Sequence, residues 1–126
     1  MSTYIRDRVR SAILQTTNAT QTTLLTYTPS APGVHKYKVI VLACTSDYTT
    51  TATWELNGAS KSTGVGAVLG LLGTVSDVLA GQRDLAAALW GATITVNSAN
   101  VQVSVTGAAG TTINWLCYFQ ADTFSP

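Results

Sequence analysis

A chain of 126 residues has room for one domain with a real core, not for two. Its apolar content of 46% is ordinary, but only 10% of its residues are charged, where soluble domains average about 25%. A net charge of +1 leaves no basic field to hold a nucleic-acid backbone, and the most apolar stretch, Gly64 to Gly73, falls short of the roughly 20 apolar residues that span a bilayer; neither nucleic acid nor membrane is expected as a partner.

Hydroxyls take the place of the missing charge. Thr16, Thr17, Thr20, Thr22, Thr23, Thr26 and Thr28 crowd one region and Thr49, Thr50, Thr51 and Thr53 another, and threonine, being β-branched, suits a pleated, half-buried surface. A surface so poor in charge is expected to face other protein over much of its area. No basic, apolar leader opens the sequence, so the chain is expected to be made in a cytoplasm.

In chain order, residues 1–12 read as a short arm carrying Arg6, Arg8 and Arg10 with Asp7. In an extended arm the three arginines would point one way, suited to carboxylates of a partner; a solvated tail is the alternative. Residues 13–126 read as a single β domain. Pro29, Pro32 and Gly33 form a turn ahead of the apolar run Tyr37–Cys44,. Next, Ala52, Trp54 and Leu56 alternate with Thr51, Thr53 and Glu55, and Asn57-Gly58 signals a hairpin turn,. Residues 65–79 and 84–90 carry helical propensity that frequent glycines interrupt, and read as short strands with turns at Gly73 and Gly81. Ile94 and Val96 point inward from a strand over Thr93–Val96, a polar turn follows, and Val101, Val103 and Val105 share one face of a strand over Asn100–Thr106, so these two should pair,. The turn Gly107–Gly110 precedes a second apolar run, Ile113–Phe119.

The runs Tyr37–Cys44 and Ile113–Phe119 are apolar on both faces, whereas only one face of a sandwich sheet meets the opposing sheet. Tyr37, Ile40, Leu42, Leu116 and Tyr118 are therefore the expected subunit interface. Eight or so short strands spaced by turns fit an all-β antiparallel sandwich of jelly-roll type.

Residues with chemical potential are scattered. Cys44 and Cys117 each sit in an apolar run without zinc-like spacing,, and are expected to be free thiols in a reducing compartment, a disulfide being the alternative. His35, the single histidine, follows a Pro-Gly turn with no second ligand or nucleophile at a recognisable spacing, and reads as a surface or strand-start residue. The carboxylates Asp7, Asp47, Glu55, Asp77, Asp84 and Asp122 lie in separate segments, offering no acid/base pair. Ser76 and Ser104 lack a nucleophile elbow, and Gly64–Gly70 is no phosphate loop. No enzyme activity, cofactor or metal is expected. Trp54, Trp90 and Trp115 with Tyr48 and Tyr118 could form a sugar-stacking platform, but aromatics in alternating strands more often fill cores.

Trp90 followed by GATITV, then NVQVSVTGAAGTTINWLCY, within a stretch from about Lys36 to Ala121, resembles the jelly-roll proteins and domains of tailed-phage virions, both head decoration (cement) proteins and tail-fibre or receptor-binding tips. Val101–Trp115 is the most telling piece. The resemblance implies homotrimeric assembly, which would cover the two-sided apolar strands. Within that setting the first reading is a decoration protein on the outer surface of the head that clamps the major capsid protein, and Arg6, Arg8 and Arg10 are its expected docking arm. A receptor-binding tip that holds host glycan is the alternative, and a small hydrolase or lyase carried in the virion a third. The lack of a coiled-coil or collagen-like shaft favours the first.

Overall fold

The computed structural model describes residues 3–29, 31–64, 68–77, 82–97 and 100–125, and for residues 3–9 and 69 the backbone alone. The described residues form nine strands: β1 (Thr3–Thr16), β2 (Thr22–Tyr27), β3 (Gly33–Cys44), β4 (Thr51–Ser62), β5 (Val68–Leu71), β6 (Ser76–Asp77), β7 (Gly91–Asn97), β8 (Asn100–Thr106) and β9 (Ile113–Ser125), with one turn of 3-10 helix at Leu85–Ala87. All pairings are antiparallel.

The large sheet runs β1-β9-β3-β4-β5, with β6 also on β4, and the small sheet runs β2-β8-β7. First strand pairs with last and second with penultimate, the nesting expected when a long antiparallel ribbon folds over on itself. The expected all-β antiparallel sandwich is thus what the chain forms. Within it β3 pairs with the consecutive β4, and β7 with β8, as the Asn97–Asn100 turn signal predicted for the latter.

The core lies where the two sheets face each other. Val101, Val103 and Val105 of β8 are fully buried, as are Tyr37, Val39 and Val41 of β3 and Ile113, Cys117 and Phe119 of β9. Tyr27 of the small sheet meets Tyr37 edge-on at 5.9 Å between centroids and Phe119 at 5.2 Å, so aromatic contacts join the sheets. At the other end Trp115 stacks on Trp54 at 5.6 Å and leans on Trp90 at 6.2 Å. These three tryptophans are buried, which rules them out as a sugar platform.

Several local expectations are corrected. Asn57-Gly58 is not a turn: β4 runs straight through it to Ser62. A Cβ on Gly58 would lie 3.1 Å from Ile94 Cδ1 of the opposite sheet, so the glycine is there for close approach of the two layers. The hairpin lies earlier, at Thr45–Thr50 between β3 and β4. Residues 84–90 hold the 3-10 turn rather than a strand. The turn at Gly73 joins β5 to β6 as expected, while Gly81 falls outside the described residues. Gly33 does begin a strand after a turn, and nothing else fits there: its φ is +135°, and a Cβ would overlap the carbonyl oxygen of Phe124,.

Most of the stretch expected as an arm belongs to the sheet. From Thr3 onward the chain pairs with β9, Thr3 opposite Ser125 and Thr16 opposite Ile113; this is an edge strand.

Candidate functional site

Two features of the surface stand out. The first is the outer face of the large sheet. Alternation along β3 and β9 sends Tyr37, Val39 and Val41 inward and Lys36, Lys38, Ile40 and Leu42 outward,. The ladder therefore presents outward the cross-strand pairs Val34–Phe124, Lys36–Asp122, Lys38–Gln120, Ile40–Tyr118 and Leu42–Leu116. Ile13 of β1, opposite Leu116, is 81% exposed, and Val34, Ile40, Leu42, Leu116, Tyr118 and Phe124 are also exposed. At the Leu42 end a groove of about 460 Å³ opens, lined by Ile13, Leu42, Cys44, Thr53, Asn114 and Leu116 among others.

Of the five residues expected at a subunit interface, the structure thus brings Ile40, Leu42, Leu116 and Tyr118 together on one exposed face. Tyr37 is a correction. It stands three residues from Ile40, on the opposite side of the pleat, and is wholly buried,. Its hydroxyl bonds Ser60 Oγ at 2.6 Å, and burial pushes the phenol up to about 12, the Ser60 bond pulling weakly the other way,.

The second feature is the Thr45–Thr50 hairpin. Thr45 N–H donates to Thr50 O and Tyr48 N–H to Thr45 O, both at 3.0 Å. The Asp47 carboxylate accepts from the Thr45 hydroxyl at 2.8 Å and from the Thr49 hydroxyl and N–H at 2.9 and 3.2 Å. These bonds, Thr45's first, hold its carboxyl below the usual carboxylate range,. The loop is tied to its neighbours as well: Asn114 Nδ2 donates to Ser46 Oγ at 3.2 Å, and Gln15 Nε2 to Asn114 Oδ1 at 3.0 Å. Asp84 accepts from Thr51 N–H at 2.8 Å at the strand exit. Held in this way, Tyr48 takes a left-handed conformation, φ 61°, and stands 76% exposed,. The signal for this loop was an aspartate between threonines, an Asx-turn composition, which the apolar run before it and the Asn-Gly after it overshadowed.

His35 is not on the surface. It shares the inward side of β3 with Tyr37 and is completely buried, its Nδ1 2.8 Å from Thr123 Oγ1 and its Nε2 2.6 Å from Ser62 Oγ. Ser62 donates onward to Ala31 O at 3.2 Å. A histidine with both nitrogens held by hydroxyls inside a sandwich is a satisfied core residue. Both cysteines are free thiols; burial raises the Cys117 thiol's pKa, a backbone bond from Ala12 offsetting part of this.

Of the three arginines, Arg6 and Arg8 lie where only the backbone is described. The ladder slips between Asp7 and Arg10, so Arg6 stands opposite Asp122 of the outer face and Arg10 opposite Phe119 of the inner one,. Arg10 places its guanidinium 5.6 Å from the centre of the Tyr27 ring, closing the edge of the sandwich.

No family model matches the chain, and no curated protein does. Among solved structures it is similar to the tailspike protein of Acinetobacter baumannii phage AM24, at 11% identity over 92% of this chain with a TM-score of 0.37. It is similar also to the tailspike protein of Acinetobacter phage vB_ApiP_P1, at 17% identity over 94% with a TM-score of 0.31. The chain spans 26% and 21% of those two proteins' lengths. TM-scores at this level do not establish a shared fold.

Proposed function

We propose that this chain is a binding module of a tailed-phage virion, working by surface contact rather than by chemistry, and that the Thr45–Thr50 hairpin meets glycan on the host surface. The observation that carries the reading is the preorganised hairpin: a mostly exposed tyrosine stands on a turn whose backbone is fixed by a network of threonine and aspartate bonds. Sugar recognition asks for an aromatic surface to stack on a pyranose and for oriented hydroxyl and carboxylate partners. A loop already ordered when free loses little entropy on binding. Each contact would be weak, and several copies on one particle would raise avidity without new contacts.

Decoration of the head shell, clamping the major capsid protein, is the reading with less support. The docking device expected for it was an arginine arm, and the described part of that segment is an edge strand whose Arg10 packs on the chain's own Tyr27.

The test is binding of labelled protein to a panel of purified bacterial capsular and lipopolysaccharides, with stripped phage heads in parallel. We expect retention on at least one polysaccharide, reduced tenfold or more by Tyr48→Ala at unchanged thermal stability. Saturable binding to heads with none to any polysaccharide would replace the receptor reading with the decoration one.

A further inference from the structure

The outer face of the large sheet has an internal symmetry that its amino-acid content alone does not show. Four of the rungs that β3 and β9 present pair like with like or charge with countercharge: Leu42 with Leu116, Ile40 with Tyr118, Val34 with Phe124, and Lys36 with Asp122. Lys38, on the middle rung beside Gln120, has its charge answered within the chain by Glu55 at 3.6 Å.

We propose that this face is an isologous two-fold interface on which a second copy of the same chain packs, the axis running parallel to the strands between β3 and β9. Such an axis keeps every rung level and lays β9 of one copy over β3 of the other. Leu116 then meets the partner's Leu42, Tyr118 the partner's Ile40, and Phe124 the partner's Val34. Lys36 meets the partner's Asp122, and by symmetry Asp122 meets the partner's Lys36, so the two ion pairs come as a set.

The alternatives are electrostatically worse. A two-fold axis across the strands at the Lys38–Gln120 rung would reverse the rungs and set Lys36 over the partner's Ile40 and Asp122 over the partner's Tyr118, burying charge against apolar groups. A three-fold arrangement needs two different complementary patches on each copy, whereas the apolar and charged rungs here form one patch that complements itself. The inference thus replaces the trimer expected from the resemblance with a dimer.

Four strands about 4.8 Å apart and eight residues at about 3.4 Å each give a face of about 19 by 27 Å, or roughly 500 Å² in projection before side-chain relief is added, against the roughly 800 Å² of accessible surface per partner in a standard interface. Two twisted sheets packed face to face cross at about 30°, so the rung-on-rung match is closest at the axis, where β3 and β9 lie.

The inference does not depend on the glycan reading; sedimentation tests the one and polysaccharide binding the other, and either can fail alone. The experiment is analytical ultracentrifugation of the full chain, folding being checked by circular dichroism. The wild type should sediment as a dimer at micromolar concentration. Lys36→Asp sets two acidic pairs across the axis and Asp122→Lys two basic ones, so each variant alone should dimerise at least tenfold more weakly. An equimolar mixture should recover the dimer, because position 36 of one then meets position 122 of the other with opposite charge at both sites. Leu116→Arg, at an exposed side chain, guards against a charge reversal that does not fold, and should also be monomeric. A monomeric or trimeric wild type, a Leu116→Arg dimer, or folded charge variants that do not recover dimerisation on mixing would overturn the proposal.

Discussion

The indole Nε1 of Trp115 donates to Thr16 Oγ1 at 2.9 Å, a buried bond between the start of β9 and the end of β1. It ties the core tryptophan to the point where the chain leaves the large sheet for the small one. Trp115→Ala should cost about 3 to 5 kcal/mol. Thr16→Val, which leaves the buried indole N–H without its acceptor, should cost about 1 to 3 kcal/mol. Urea denaturation of both, and of Trp115→Phe with and without Thr16→Val, checks the relationship. The double variant should be less destabilised than the two single losses added together, because the bond can be lost only once.

Tyr37 makes stability depend on alkaline pH. Its folded value, about 12, lies above the unfolded 10, so the folded state holds the phenolic proton more tightly. The stability that Tyr37 contributes is therefore fully present below pH 10 and is lost as pH rises through 10 towards 12. Tyr37→Phe should flatten the stability curve in that window relative to wild type, as measured by urea midpoints at stepped pH. A wild-type curve no steeper than that of the variant would refute the assignment.

Much of the fold was legible because alternation is a local signal. Val101, Val103 and Val105, and Trp54 with Leu56, were read inward and are buried. The same alternation would have placed His35 with Tyr37 and Val39, and so in the core, but the preceding Pro-Gly turn made it look peripheral. It would likewise have separated Tyr37 from Ile40 at the interface. Gly58 was misread for a different reason: its cause, the Ile94 methyl of the other sheet, is distant in sequence, and a hairpin glycine and a clearance glycine look the same in one dimension. Pairing of residues 3–10 with β9 is long-range too, and invisible to periodicity. On the candidate site, the apolar face was foreseen from strands apolar on both sides, whereas the hairpin was not.

Gly58 gives a direct test of that clearance. Gly58→Ala places a methyl 3.1 Å from Ile94 Cδ1, so the Ile94 side chain must give way by a few tenths of an ångström and the effect of the substitution should depend on Ile94. Shortening the neighbour with Ile94→Val should relieve that contact, read as a coupling energy in thermal or urea melts. A turn glycine would show no coupling to Ile94.

The thiols should separate by accessibility. Cys44 is half-buried and lines the open groove, while Cys117 is wholly enclosed and its burial disfavours the thiolate,. A thiol-reactive chromophore at neutral pH should titrate one cysteine in the native protein and two in denaturant. Two fast-reacting thiols in the native state, or none in denaturant, would contradict the arrangement.

Removal of residues 1–10 distinguishes an arm from a strand. A free arm could be cut away and leave the sandwich unchanged. Here the cut would remove Thr3–Asp7 and Arg10 from their ladder on β9, exposing the backbone of β9 from Phe119 to Ser125 as a new sheet edge, and would uncover the Tyr27 ring over which Arg10 sits. The natural edge carries Arg6, Asp7, Arg8 and Arg10, and charge on an edge strand discourages pairing with other chains. The new edge would carry Phe119, Ala121 and Phe124 with Asp122 as its one charge. We therefore expect the truncated protein to melt at a lower temperature and to aggregate on concentration, whereas Arg6→Ala and Arg8→Ala together, with Arg10 kept over Tyr27, should keep the strand and the fold while raising aggregation alone. Light scattering and circular dichroism on both proteins read the two effects separately. A truncated protein as stable and soluble as the full chain would show that β1 contributes nothing before Ser11.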